Sequence, residues 1–341
     1  MTAVAGPITT GQGGGGRRAA AGLLALSLLW PAAAGGVAPE RLAPLLARME
    51  AKHGMDRDRL VRWLRRARVR PEILAAMRRP AERQPWHRYR RRFVDPRLAA
   101  EGQAYWRRHR RWLAAAARRY GVPPEIVLAI LGVETRYGRN NGRYPVLDAL
   151  VTLALHDPRR GRFFTGELEQ FFLLLREEGL DPSALRGSYA GAMGIPQFIP
   201  SSYRRYAVDF DGDGRRDLMG SPADVIGSVA SYLAVHGWQA GAPVAVPARL
   251  AGPPPPERVL AGLEPRLTLR HWRRWGLRPA QPLPADTRAA LVRLEGEDGP
   301  VYHFGLRNFY VISRYNHSAK YAMAVFELSR LLRAGRDRGR P

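Results

Sequence analysis

Pro123-Pro124-Glu125-Ile126-Val127-Leu128-Ala129-Ile130-Leu131-Gly132-Val133-Glu134-Thr135-Arg136-Tyr137-Gly138 is the stretch on which the fold turns. Proline suits the first turn of a helix, where no N–H donor is needed, and Glu125 sits where the helix dipole favours a negative charge. From Ile126 the helix is almost wholly apolar, and its next charge is Glu134. That carboxylate has two readings. At the helix's emergence into water it would pair with Arg136 or Arg139; held in an apolar cleft wall, desolvation would keep it protonated and able to donate a proton.

Outward from this helix, composition bounds the rest. The chain has 341 residues, 45% of them hydrophobic, enough for one large or two to three smaller cores, and a formal charge of +25. Lysine occurs only at Lys52 and Lys320, so the basicity is arginine, and an anionic polymer is the natural partner. The absence of cysteine excludes thiol nucleophiles, Cys-ligated metals, disulfides and a lipid-modified N-terminal Cys. Residues 1–34 read as a cleavable export signal: Arg17 and Arg18, an apolar run from Ala19 to Trp30, then Pro31 and the small residues Ala32 to Ala34. That run is short for a bilayer span, so an uncleaved anchor is the second choice. Export makes nucleic acid an improbable target.

Residues 39–119 read as a helical domain, with Leu42, Leu45, Leu46 and Met49, then Leu60, Val61 and Leu64, at helical spacing. Between Trp86 and Arg111, rings interleave with arginines, a pattern that fits either a polyanion-binding surface or core aromatics under solvated charges. Residues 120–239 carry the densest motifs. Residues 240–305 open on a Pro- and Gly-rich stretch and hold β-like pieces at Val244–Val246, Ala289–Leu294 and Val301–Phe304, which predicts a small inserted domain with some sheet. Residues 306–335 return to a helical pattern, with Tyr315 and Asn316 on a loop before a packed helix, and 336–341 form a basic tail.

Three further motifs lie beyond Glu134. His156-Asp157-Pro158-Arg159-Arg160 comes first. The run from Gly187 to Tyr203 is too rich in small and aromatic residues for ordinary core. It forms a turn whose backbone approaches a ligand, with Ser188 and Gln197 offering hydrogen bonds and its rings a sugar-stacking surface. Asp209-Phe210-Asp211-Gly212-Asp213-Gly214 places oxygen ligands at calcium-loop positions one, three and five with glycine at six, and Asp217 at nine. Gly220 stands where the standard loop has its closing Glu. An Asx-rich turn without metal is the plain alternative. No serine-hydrolase elbow, zinc spacing, phosphate loop or dinucleotide fingerprint occurs.

In these segments, and in Arg314 to Tyr321, the sequence closely resembles the lytic murein transglycosylase B family, over roughly residues 39–333. The resemblance implies a mainly α (α+β) protein: a lysozyme-like core at 120–239, a helical domain before it and a small β-containing domain after it. It implies a peptidoglycan lytic transglycosylase in which Glu134 is the sole catalytic acid and base. The muramic sugar's own C6 hydroxyl then closes a 1,6-anhydro ring, so no second carboxylate is needed. Ser188, Gln197, Tyr315, Asn316 and Tyr321 match cleft residues, and Arg159 and Arg160 a pair placed to meet substrate carboxylates. Asp224 closes the acidic loop in that reading, so Asp209, Asp211, Asp213 and Asp224 bind a structural Ca2+ through side chains and Arg215 through its carbonyl. No cofactor is implied for catalysis. The partners are peptidoglycan glycan strands and, further off, cell-wall enzyme complexes. A soluble periplasmic form is expected from the missing Cys. Two rivals stand beside this reading: a hydrolytic muramidase using Asp148 or Asp157 as second carboxylate, and a noncatalytic wall-binding protein that keeps the cleft.

Overall fold

A computed structural model describes residues 36–79, 83–256 and 262–338; the signal-like segment 1–34 and the end of the basic tail lie outside them. Among the described residues a 3-10 turn (Pro39–Leu42) leads into six α-helices: α1 (Ala43–His53), α2 (Arg57–Arg66), α3 (Pro71–Met77), α4 (Trp86–Arg90), α5 (Pro96–Arg108) and α6 (Arg110–Tyr120). Local chemistry sets their ends. Asp56 caps α2 by accepting from the amides of Asp58 and Arg59, Asp95 caps α5 through the Arg97 amide, and Gly54 and Gly121 close α1 and α6 in the left-handed conformation. Trp86 and Tyr89 are buried while Arg88, Arg90, Arg91, Arg92, Arg107 and Arg108 are exposed. The ring-and-arginine pattern is thus core aromatics beneath solvated charge. Arg90 and Arg91 pair with Glu327 and Glu297.

The central layer comprises α7 (Pro124–Thr135), the strand β1 (Tyr144–Pro145), α8 (Val146–His156), α9 (Gly161–Glu177), β2 (Arg186–Gly187), α10 (Pro200–Tyr206) and α11 (Pro222–Val235). Every residue of α7 from Ile126 to Thr135 is buried, as its uninterrupted apolar run requires. α5 crosses α7 where both present glycine. A Cβ on Gly102 or Gly132 would stand 2.3 or 2.7 Å from the Tyr137 hydroxyl, so the close packing of that ring depends on both. The strands β1 and β2 pair antiparallel, Tyr144 opposite Gly187.

Beyond α11 come β3 (Ala245–Leu250), β4 (Leu267–Thr268), α12 (Leu269–Arg273), β5 (Leu277–Pro279), β6 (Arg288–Glu295) and β7 (Pro300–Gly305). They build an antiparallel sheet in the order β4-β6-β7-β3-β5 with its own apolar centre of Leu269, Trp272, Leu277, Leu291 and Phe304. The excursion leaves and returns through one buried side chain. Asn308 accepts from the Gln239 amide at 2.8 Å and donates to the carbonyls of Gln239 and Ala242 at 2.8 and 2.9 Å, tying exit to re-entry. The return segment then forms α13 (Arg307–Tyr315) and α14 (Ala319–Arg338), and α14 packs on α7 and α5. Tyr315 is therefore the last residue of a helix, and only Asn316 of the pair lies in the connection. Its buried Phe309, Val311 and Ile312 carry the helical pattern through to Tyr315. Among the described residues no helix is long and apolar enough to cross a membrane.

Candidate active site

Glu134 occupies the last turn of α7 and is 4% exposed. The arginines that could have met it at the surface are engaged elsewhere: Arg136 makes a bidentate pair with Glu101 at 2.7 and 2.5 Å, and Arg139 lies 3.3 Å from the same carboxylate. Of the two readings of Glu134, the buried one describes its setting. The Tyr321 hydroxyl, from the first turn of α14, donates to Glu134 Oε1 at 2.7 Å. Burial, and then the charge of Glu134, hold that phenol well above its ordinary pKa, so Tyr321 keeps its proton and is the donor of the pair.

The end of α7 folds back sharply. Arg136 and Tyr137 adopt positive φ (51° and 59°), and Gly138 continues the turn at 87°. Thr135 fastens this turn to the glycine-rich loop: its hydroxyl donates to the Ile195 carbonyl at 2.8 Å and accepts from the Gly138 amide at 3.0 Å. Glu134 is thus held against the 187–198 loop by its own neighbour in sequence.

That loop is a built structure. Ser188 Oγ accepts from the amides of Ala190 and Ala192 at 3.2 and 3.1 Å, while Met193 pairs with both Gly187 and Phe198. Those contacts leave the Ser188 hydroxyl proton for another acceptor. Gln197, with φ of 52°, donates from Nε2 to the carbonyls of Gly194 and Asn141, at 2.9 and 3.2 Å. A Cβ on Gly142 would stand 2.1 Å from the carbonyl carbon and oxygen of Gly187, so the segment after α7 lies directly on the loop that presents Ser188. Tyr315 donates to the Pro196 carbonyl at 2.6 Å and stacks on Tyr321, centroids 6.4 Å apart and planes 10° from parallel. Phe198 and Tyr232 complete the aromatic wall, with centroids 5.6 and 4.8 Å from that of Tyr315. Asn316 is buried beside it. Glu134, Ser188, Gln197, Tyr315 and Tyr321 therefore belong to one connected set.

Arg159 and Arg160 lie at the turn from α8 into α9, where Asp157 Oδ1 accepts from both their amides at 2.9 and 2.8 Å. The Arg160 guanidinium lies over Phe163 and Phe164, 4.7 and 4.9 Å from their centroids, and burial lowers its pKa. Both rival carboxylates have structural tasks. Asp157 caps this turn, and Asp148, in α8, accepts from the Arg68 amide at 3.0 Å and from Arg70 Nε at 2.6 Å. Sequence patterns do not single out Thr135, Gly142 or Tyr232 as parts of the site. The Glu134-Thr135 adjacency ahead of a glycine is the available signal for the first, and nothing local marks the other two.

In the acidic loop, oxygens of Asp209, Asp211 and Asp213 lie within 4.8 Å of one another, a hard-oxygen set that suits calcium. Asp209 holds the loop in shape by accepting from the amides of Gly212, Asp213 and Gly214. Asp224 is fully buried and accepts from the amides of Phe210 and Asp217 at 2.7 and 2.8 Å; burial, joined by the nearby Asp211 and Asp209, keeps its pKa raised. Asp217 instead closes a turn on the amides of Met219 and Gly220.

A helical core that buries Glu134 at a helix end, with a glycine-rich loop and an aromatic wall around it, matches the lysozyme-like lytic transglycosylase fold. The chain belongs to the transglycosylase SLT domain family, whose model matches residues 39–330. It is 44% identical over 299 residues to the membrane-bound lytic murein transglycosylase B of Escherichia coli K12, covering 85% of this chain and 81% of that protein. Among solved structures, the soluble lytic transglycosylase SltB1 from Pseudomonas aeruginosa matches with a TM-score of 0.80 at 43% identity, covering 87% of this chain and 99% of that one. The Escherichia coli lytic transglycosylase Slt35 in complex with calcium matches with the same score and identity, covering 87% and 94%.

Proposed function

We propose that this protein is a lytic transglycosylase of murein glycan strands in which Glu134 acts first as acid and then as base. The observation that carries the reading is the Glu134–Tyr321 pair, buried at the end of an apolar helix and fastened to the loop of Ser188 and Gln197. Substrate entry displaces water from this pocket, and a carboxyl among apolar side chains takes up a proton more readily there. Its proton passes to the oxygen bridging N-acetylmuramic acid and N-acetylglucosamine, and the bond from the muramic C1 to that oxygen breaks. The Glu134 carboxylate then takes the proton of the same sugar's C6 hydroxyl as that oxygen bonds to C1. The 1,6-anhydro ring closes and the acid is regenerated, with Tyr321 steadying the charged form in between. The engagement of Asp148 and Asp157 in capping and pairing supports this single-carboxylate route over the hydrolytic one.

Ser188, Gln197, Tyr315 and Asn316 are the substrate contacts in this scheme, and Arg159 and Arg160 meet its carboxylates. Asp209, Asp211, Asp213 and Asp224, with the Arg215 carbonyl, hold a structural Ca2+ whose charge offsets the cost of burying Asp224. Residues 120–239 form the catalytic core between the helical domain of 39–119 and the small β domain of 240–305. The protein works in the periplasm after loss of residues 1–34. The test is Glu134→Gln on purified sacculi: turnover is lost while sedimentation with the sacculi persists. An active Glu134→Gln enzyme contradicts the reading.

A further inference from the structure

Among the described residues, Asp148, Glu167 and Glu169 are the buried carboxylates outside the catalytic pair and the acidic loop. Asp148 pairs with Arg70 at 2.6 Å, and Glu169 with Arg48 and His53 at 2.7 and 3.0 Å. Glu167, on α9 and 5% exposed, makes no such pair among the described residues. Both of its oxygens serve one residue: Oε1 accepts from the Ser201 hydroxyl at 2.7 Å and Oε2 from the Ser201 amide at 3.0 Å. Burial raises its pKa, against the pull of those two bonds and of the Arg160 charge. A well-packed apolar side chain would sit here at lower cost than a lone buried carboxylate. What the carboxylate adds is a fixed place for Ser201.

Ser201 stands in the first turn of α10, which has no capping side chain of its own. Glu167 reaches across from α9 to supply the missing acceptor. That turn follows directly on the glycine-rich loop. Before Gln197 the loop is tied to the core at Ile195, whose amide donates to the Leu218 carbonyl at 2.9 Å and whose carbonyl accepts from Thr135, and at Pro196, whose carbonyl accepts from Tyr315. Phe198 bonds back to Met193 inside the loop. The next hydrogen-bonded tie to the core is the pair of bonds from Ser201 to Glu167, four residues beyond Gln197. Gln197 itself holds a φ of 52°, a conformation that a residue with a side chain keeps only where its surroundings fix it. Its Nε2 is spent on the Gly194 and Asn141 carbonyls, which leaves Oε1 as the acceptor it can offer a sugar.

We infer that Glu167 is a positioning residue of this enzyme: through Ser201 it fixes the exit of the glycine-rich loop, and so the place at which Gln197 presents Oε1 to the glycan. The inference rests on the proposed reading of Gln197 as a substrate contact and adds the group that aims it. Glu167 touches no substrate and transfers no proton; its effect reaches the glycan through Gln197 alone.

The test measures kcat and KM on purified glycan strands for wild type, Glu167→Ala, Gln197→Ala and the double variant, with the melting temperature of each. Gln197→Ala raises KM about tenfold, the size of one hydrogen bond to the sugar. Glu167→Ala raises it by a similar factor, and in the double variant KM stays within about twofold of Gln197→Ala alone, because the contact can be lost only once. The melting temperature, by contrast, falls by the same amount when Glu167 is replaced in either background, since the Ser201 bonds break in both. Glu167→Gln keeps an acceptor for the Ser201 amide and a donor for its hydroxyl oxygen, and recovers most of the wild-type KM. Ser201→Ala loses one bond of the two, shifts KM in the same direction, and decides the matter if Glu167→Ala does not fold. KM effects that multiply in the double variant, or an unchanged KM in Glu167→Ala or Ser201→Ala, overturn the inference while Gln197 keeps its role. A wild-type KM in Gln197→Ala removes that contact from the catalytic reading and the inference with it.

Discussion

Thr135→Val is the perturbation that best isolates how the carboxylate is positioned. The replacement keeps the shape of the side chain and removes only the hydroxyl, which donates to the Ile195 carbonyl at 2.8 Å and accepts from the Gly138 amide at 3.0 Å. Thr135 is 1% exposed, so water does not replace either bond at the threonine. Leaving two backbone groups short of a partner costs about 2–4 kcal/mol. For a chain of this size, with an unfolding entropy of about 0.7 kcal/mol/K, that lowers the melting temperature by about 3–6 °C. The larger effect falls on catalysis. Glu134 and the loop presenting Ser188 and Gln197 lose the bond that Thr135 makes between them, and a displacement near 1 Å costs on the order of a hundredfold in kcat. Calorimetry and turnover on sacculi read the two quantities side by side. An unchanged melting temperature with full turnover would refute the claim that this hydroxyl registers the acid against the loop.

Other perturbations draw on the same geometry. Gly142→Ala drives a Cβ to 2.1 Å from Gly187 at a φ of 91°, so turnover falls more than tenfold as the Ser188 loop shifts; activity at the wild-type level would count against the stacked-loop description. Asp213→Ala removes one oxygen of the acidic cluster, and the rise in melting temperature on adding calcium disappears; a persistent calcium response rejects the site. His303 is held below its ordinary pKa by burial and then by the charge of Arg330, and its Nδ1 is buried with no hydrogen-bond partner among the described residues. The unfolded chain therefore takes up this proton first as pH falls below about 6.5, so stability is full above that pH and is lost beneath it. In His303→Phe the decline in melting temperature between neutral pH and about pH 5 is shallower, and an identical decline excludes His303 as a contributor.

Features with a local signature are legible in the sequence. The apolar run into Glu134 is a burial pattern, and burial is where the structure places that residue. Three strands of the small sheet, β3, β6 and β7, show in short β-like apolar runs, whereas β1, β2 and β4, two residues each, are too short to carry any period. The rival carboxylates show the opposite limit. Asp148 and Asp157 are attractive only for lying near Glu134 in sequence, while the contacts that occupy Asp148 come from the α2–α3 connection, eighty residues away. The wall of Phe198, Tyr232, Tyr315 and Tyr321 is assembled from distant segments, and no spacing rule joins them.

The central claim is that a hydroxyl of the substrate, not water, attacks the muramic carbon once Glu134 has given up its proton. Digestion of sacculi in water enriched in heavy oxygen, with mass analysis of the released fragments, tests it directly. The account predicts anhydro ends carrying no solvent oxygen in the wild type and no such fragments from Glu134→Gln. Reducing ends labelled with the heavy isotope at C1 would contradict it.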